Sequence, residues 1–398
     1  MPNKHSFDVD DYFLELSLST PQQKSTYEVV MLPLDLLVKV KGLDLTKSNK
    51  HKCVQFLDLL ITYSYMDDDN PKPTSFVYFS SSHFRSRFNS RYRDWLKPML
   101  DNKVVESDNS WSTATGKSLH YRICTDTEID WSDLRKVKIK VKNRNYYEPK
   151  DIDYFKGLQR FNHSINIDFP RLYELTEIEL SKEEDLKKRE NKRVSWLRNL
   201  AKLEERSLYA HRNNTNNRLD TNYTSFPKAL LNEIKESNSL LEIDAVNSQP
   251  AILANLIKDE VNDDYVQDAI NGILYEKVAQ EMKWSRDKTK HGIMVTFFSP
   301  ENYSNNLKKV LSKLYPETMI YIDDYKSQHG HSEFAISIQK QEAKLYIDGI
   351  LNELYNIGIR AISKHDSIIF HKDDKKVVQE VVTNVIQRSG FELQMKIV

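Results

Sequence analysis

Two aspartates stand where a carboxylate is costly. Asp244 closes the apolar run LLEI and precedes Ser248-Gln249-Pro250, a start signal for the apolar helix that follows. Asp366 lies in Lys364-His365-Asp366, where the short apolar strands IRAIS and SIIFH meet at a hairpin tip. A carboxylate at the edge of a core strand needs a partner, and a metal ion is one. Two such carboxylates can hold two divalent ions about 4 Å apart, one activating a primer hydroxyl and the other neutralising a leaving pyrophosphate. Between them in sequence, Arg286, Lys290, Met294 and Phe298 recur at every fourth residue. At that spacing they sweep about 120° of a helix surface. Two cations followed by two large flat or soft groups suit a triphosphate followed by a base and sugar. Phosphoryl transfer asks a protein mainly for positioning and charge stabilisation, which these groups supply. Singly, each piece has an ordinary reading as a helix cap, an amphipathic face or a turn; their order makes them specific.

Other elements must position these residues. The spacing predicts a tail over residues 1–20 and a compact unit over 21–126. In that unit SSHFRSRF, a short Asn-Ser turn and RYRDWLKPMLDNK place Phe84, Phe88, Tyr92, Trp95, Leu96 and Leu100 at helical spacing. A hairpin follows, turning at Thr115-Gly116-Lys117. Helix, turn, helix and hairpin is the order of a winged helix, with Arg91 and Arg93 early on its recognition helix. Such modules bind nucleic acid or dock proteins. Residues 127–205 read as a connector, ending in a thumb-like helical region. There Ser181 and Glu184 form a capping box, and Val194, Leu197, Leu200, Ala201 and Leu203 supply an apolar stripe. From 206 to 398, α and β segments alternate, giving an α+β chain overall.

The 58 basic and 58 acidic residues balance, so no global field draws the chain to nucleic acid. Local charge is uneven. Arg135–Arg144 carries six basic residues in ten, with Lys136, Lys138, Lys140 and Lys142 alternating with Val137, Ile139 and Val141. This predicts a strand with one cationic face, serving either as a guarded edge or as a phosphate contact. Cys53 and Cys124 are too few to staple the chain, which fits a reducing compartment. With no apolar leader in MPNKHSFDVDDYF and no apolar run long enough to span a bilayer, a soluble, cytoplasmic protein is expected.

The three chemistry-bearing segments resemble motifs A, B and C of the family A DNA polymerases and the related single-subunit phage-type RNA polymerases. Asp244 and Gln249 are spaced as in motif A, and RDKTKHGIMVTFFS matches motif B at Arg286, Lys290 and Met294. Phe298-Ser299 stands where that family has Tyr-Gly, in a chain with only nine glycines. His365-Asp366-Ser367 is similar to motif C, in the form the RNA enzymes carry. The resemblance covers residues 206–398. It implies a right-hand polymerase of palm, reduced fingers and thumb-like segment, the fingers being small because 122 residues separate Asp244 from Asp366.

The activity implied is template-directed nucleotidyl transfer with two Mg2+ ions, Mn2+ being an alternative, on nucleoside triphosphates and a nucleic-acid template. Asp244, Asp366 and the Ala245 carbonyl are then metal ligands. Arg286 and Lys290 grip the triphosphate, with Lys290 able to protonate pyrophosphate. Gln249, Met294 and Phe298 shape the nucleotide pocket, and His365, Arg218 and Gln339 touch primer or template. The residues before the palm resemble no proofreading exonuclease, and the function expected is a DNA polymerase lacking one, from a phage, plasmid or other mobile element. Met294 and the His-Asp-Ser triplet leave an RNA polymerase or primase open. Tyr321-Ile322-Asp323-Asp324 also spells the YxDD box of reverse transcriptases, where it caps a buried hairpin. A further reading is a non-catalytic winged-helix replication initiator. His329 and His331 near that box lack a fixed set of further ligands.

Overall fold

The computed structural model describes residues 26–64, 74–108, 119–126, 128–141 and 151–398. The expected tail 1–20, the turn Thr115-Gly116-Lys117 and the end of the basic run at Lys142 and Arg144 lie outside them. Helices and small sheets mix in an α+β chain. It divides into two compact units. One comprises the described parts of Met1–Tyr146 with Asp168–Leu208 and Ser225–Leu230, the other those of Tyr147–Ile167, Tyr209–Thr224 and Leu231–Val398. Residues 127–205, read from the sequence as a connector, are thus distributed between the units.

In the first unit β1 (Thr26–Pro33) is followed by helices Leu34–Gly42 and Lys47–Ser64, then β2 (Val77–Tyr78). Helices Ser81–Arg87 and Arg93–Asp101 come next, then β3 (Val105–Ser107), β4 (His120–Ile123) and β5 (Leu134–Val141). Strands β2, β4 and β3 form a small antiparallel sheet in that order. Phe84, Phe88, Tyr92, Trp95 and Leu96 are buried as their spacing predicts. Phe56 stands among five aromatic rings at centroid distances of 5.2–6.3 Å.

β1 and β5 pair antiparallel, with Val30 opposite Val137. Val137 and Ile139 enter the core, as alternation requires. At Lys136 and Lys138 the cationic face is met by acidic side chains. Helix Leu186–Glu204 packs on β1, with Ala201 against Val29 and Met31. At its end Glu204 and Glu205 each lie 3.0 Å from Lys136, and Glu205 also pairs with Lys138. The capping box is also displaced. Ser181 ends helix Phe169–Ser181, and the next helix is capped by Asp185, which accepts from the amides of Lys187 and Lys188.

The second unit has a hairpin of β6 (Ala210–Arg212) and β7 (Leu219–Thr221). Its antiparallel sheet joins β8 (Leu240–Ala245), β9 (Ala361–Lys364), β10 (Ser367–His371) and β11 (Met395–Ile397) in the order β11-β8-β10-β9. Eight consecutive helical segments from Ser248 to Leu351 connect β8 towards β9, around a core that includes Tyr265, Tyr275, Phe297, Tyr315 and Phe334. Within this run, helix His331–Ala343 continues as a π-helix over Lys344–Leu351. Tyr321-Ile322-Asp323-Asp324 lies inside helix Pro316–His329, with Ile322 buried and Asp323 paired to Lys308 at 2.9 Å. It is not a hairpin, so the backbone that a YxDD box needs is missing there.

Candidate active site

On β8, Ile243 and Ala245 are buried on one face, and Asp244 lies between them on the other face near the end of the strand, half-buried. Beyond the strand Asn247 takes a left-handed φ of 54°, a conformation Asn tolerates, and helix Ser248–Ile257 begins at once. Gln249 and Pro250 occupy its first turn. On the neighbouring strand pair, Lys364 is opposite Ser367, leaving His365-Asp366 as a two-residue turn. His365 has φ 57° at a turn position that favours glycine. Such a conformation is held by its surroundings and is a recurrent mark of functional turns. Here the Asp366 carbonyl accepts from the Ala245 amide at 3.4 Å, and Ser367 sits across the ladder from Asp244. The Ser367 hydroxyl donates to Glu242 at 2.6 Å, and Glu242 also takes Lys235 at 2.6 Å. Asp244 and Asp366 are therefore fixed side by side.

The electrostatics reflect that proximity. Burial, then the charge of Asp366, raise the Asp244 carboxyl above the usual range, although Lys396 lies 3.4 Å away. Burial, then the charge of Glu342, push Asp366 up to about 6, with Lys290 and Arg218 pulling it back. Glu342 is itself buried and accepts from Nε and Nη2 of Arg218 at 3.1 and 2.6 Å. Carboxyls raised by burial and by a neighbouring acid, Asp366 for Asp244 and Glu342 for Asp366, are short of cation, the condition that a divalent ion relieves. No group of three or more His, Cys, Asp or Glu side chains poised for a metal occurs among the described residues, so any ion here would draw on backbone, water or ligand oxygens as well. The donor set of two aspartates and the Ala245 carbonyl fits a hard, oxygen-seeking ion such as Mg2+.

Helix Arg286–Phe298 is capped by Ser285, whose hydroxyl accepts from the Lys288 amide. It buries Thr289, Ile293, Thr296 and Phe297 and turns Arg286 and Lys290 outward. Gly292 permits this packing, since a Cβ there would come within 2.7 Å of Leu307. Arg286 donates to Glu276 at 2.6 Å, reaches Asn247 Oδ1 at 3.5 Å and lies over the Tyr275 ring. The Asn247 side-chain nitrogen is buried with no hydrogen-bond partner among the described residues. An orphaned donor beside Arg286 suits an anionic oxygen.

Met294 takes the Tyr275 hydroxyl at 4.0 Å, and Phe298 packs partly into the helical core, its ring 6.3 Å from Phe334. Gln339 accepts from Asn216 at 3.0 Å, close to the Arg218–Glu342 pair. His365 is lowered to about 4, first by burial and then by Arg218 and Lys364, so its ring is neutral near pH 7. Arg91 and Arg93 belong to the other unit. Arg91 falls in the turn before helix Arg93–Asp101, paired with Asp94 at 3.1 Å, rather than on the helix. Arg93 is the first helical residue, 6.0 Å from the Tyr92 ring.

Sequence reasoning missed Glu342, Glu242 and Lys396. Glu342 was within reach, being three residues from Gln339 and so on the same helix face. Glu242 is two from Asp244 on one strand face. Lys396 gave no local signal. A scan of protein-family models and a search of curated proteins both found no match to this chain.

Proposed function

We propose that the chain is a template-directed nucleotidyltransferase, working as a DNA polymerase without a proofreading exonuclease and belonging to a phage, plasmid or other mobile element. One observation carries this reading. Asp244, on β8, and Asp366, in the turn that leads into the neighbouring antiparallel strand β10, come together with raised carboxyls, and Lys290 and Arg218 are close enough to act on Asp366.

Mg2+ or Mn2+ held by Asp244, Asp366 and the Ala245 carbonyl would activate the primer hydroxyl and stabilise charge on the phosphates. Arg286 and the Asn247 amide bind phosphate oxygens, and Lys290 reaches the leaving end. The hydroxyl oxygen bonds to the α-phosphorus as the bond to pyrophosphate breaks, the hydroxyl proton passes to solvent, and Lys290 gives a proton to pyrophosphate. Neutral His365 lies against the primer end without adding charge, and Arg218 and Gln339 flank the duplex. The helix, strand, helix, helix and hairpin order of the first unit supports a winged-helix module that contacts nucleic acid.

Primer extension in Mg2+ tests the reading. Wild type should incorporate nucleotides, and Asp244→Ala and Asp366→Ala should each abolish synthesis while keeping the wild-type circular dichroism. Undiminished synthesis by either variant would end it.

A further inference from the structure

Away from the paired aspartates, helix Ile152–His163, helix Asn352–Asn356 and the approach to β9 enclose a cleft of about 850 Å3. Lys156, Arg160, His163 and Arg360 line it against one acid, Asp153. Asp153 lies 3.4 Å from Lys156 within the same helix, which accounts for that lysine. Arg160 and Arg360 form no ion pair among the described residues, and both are exposed. A helix C-terminus attracts cations, which is an ordinary reason for Arg160 and His163. Arg360 has no such reason, since it follows Gly358 on the way into β9. The His163 Nδ1 lies 2.7 Å from the Gln159 carbonyl, which fixes the ring on the cleft wall.

We infer that this cleft is a second nucleic-acid contact, which holds the phosphates of a single strand without reading its bases. The volume exceeds what one phosphate needs, and cations reach it from two separate elements. The aromatic surface is not open to stacking, because the Tyr355 ring is buried, carries the Arg160 guanidinium 5.6 Å from its centroid and donates its hydroxyl to the Ala361 carbonyl at 3.1 Å. Phosphate contacts without an exposed ring give affinity and salt dependence but little base preference. Arg360 and Asp366 stand at opposite ends of β9, about 17 Å apart by strand rise. The contact is thus distinct from the paired aspartates and does not rest on their chemistry.

The test is fluorescence anisotropy of labelled single-stranded DNA and RNA on the full chain, as a function of salt, in the Asp244→Ala background. Arg160→Gln/Arg360→Gln should bind either strand about tenfold more weakly at 0.1 M salt, with a salt slope shallower by about 1. Arg160→Lys/Arg360→Lys should restore most of the loss, which a merely structural defect would not allow. Equal affinity and slope for wild-type and Gln-substituted cleft would overturn the inference. So would unchanged strand binding alongside lost binding of ATP or inorganic phosphate, which would make the cleft a small-anion site.

Discussion

Asp366, raised from an ordinary 3.8 to about 6, disfavours its own ionisation in the folded chain. A carboxyl raised on folding contributes stability below its unfolded pKa and loses it as pH rises through the folded value. In EDTA at pH 8, Asp366→Asn should therefore be more stable than wild type by roughly 3 kcal/mol. Below about pH 4 the gain should vanish, because the wild-type group is then protonated in both states. Added Mg2+ should raise the melting temperature of wild type and not that of the variant; thermal melts at both pH values check each part. Gln249 carries a second expectation, for sugar choice. Gln249 lies in the first turn after β8, and under the proposed function its side chain would crowd the 2′ position while Phe298 brings no hydroxyl to favour ribose. We expect dNTPs over NTPs by about 10–100-fold, in the range of shape-based pockets, with Gln249→Gly erasing most of it. The kcat/KM values for dATP and ATP on one primer–template decide. At this scale local placement was legible where one segment holds the whole signal: Asp244 lies near the end of a strand with Gln249 in the helix that follows, and Arg286 and Lys290 are both exposed on one helix. It was silent on Lys396, which reaches Asp244 only because β11 pairs with β8.

Elements were read well where burial has a period and poorly where a partner arrives from far along the chain. Strand β5 alternates, and its face was assigned correctly, but the helix that covers it begins about fifty residues later at Leu186. The same long-range closure explains Asp58. It is buried on helix Lys47–Ser64 and bound by Arg198, whose Nη2 also donates to the Asp58 carbonyl at 3.0 Å and to Thr62 at 2.8 Å. Burial alone would raise this carboxyl, but the Arg198 and Lys202 charges hold it below its usual value. Its contribution is present above the unfolded pKa and lost as pH falls through the folded one. Asp58→Ala leaves Arg198 buried and unpaired, and urea unfolding at pH 7 should show a loss of about 3–5 kcal/mol that shrinks in acid. Asp323 offers the contrast. Its neighbours spell a catalytic box, yet it lies on a helix, partnered by Lys308. Asp323→Ala should keep most nucleotide incorporation, measured beside Asp366→Ala in the same assay.

At the scale of the molecule, charge balance gives nucleic acid no long-range pull, so any affinity must come from local groups. Charge counting along the sequence overstates those groups. In the densest basic run, Lys136 and Lys138 are already paired with Glu204 and Glu205. No helix among the described residues is long and apolar enough to cross a membrane. Within the first unit the test falls on Arg91 and Arg93, which the sequence treated as equals. Arg91 already shares its charge with Asp94 at 3.1 Å, whereas Arg93 has no acidic partner among the described residues. A phosphate must compete with Asp94 for Arg91, so that side chain has less to gain on binding. Arg93 also starts its helix, where its side chain leans back towards the turn. On duplex DNA, Arg93→Ala should weaken binding by the larger factor and lower the salt slope by about 1, with Arg91→Ala moving both less. Salt titrations of the full chain and each variant give the comparison. Equal losses would mean that DNA displaces Asp94 at no cost, and no change in either variant would leave the unit as a protein-docking module.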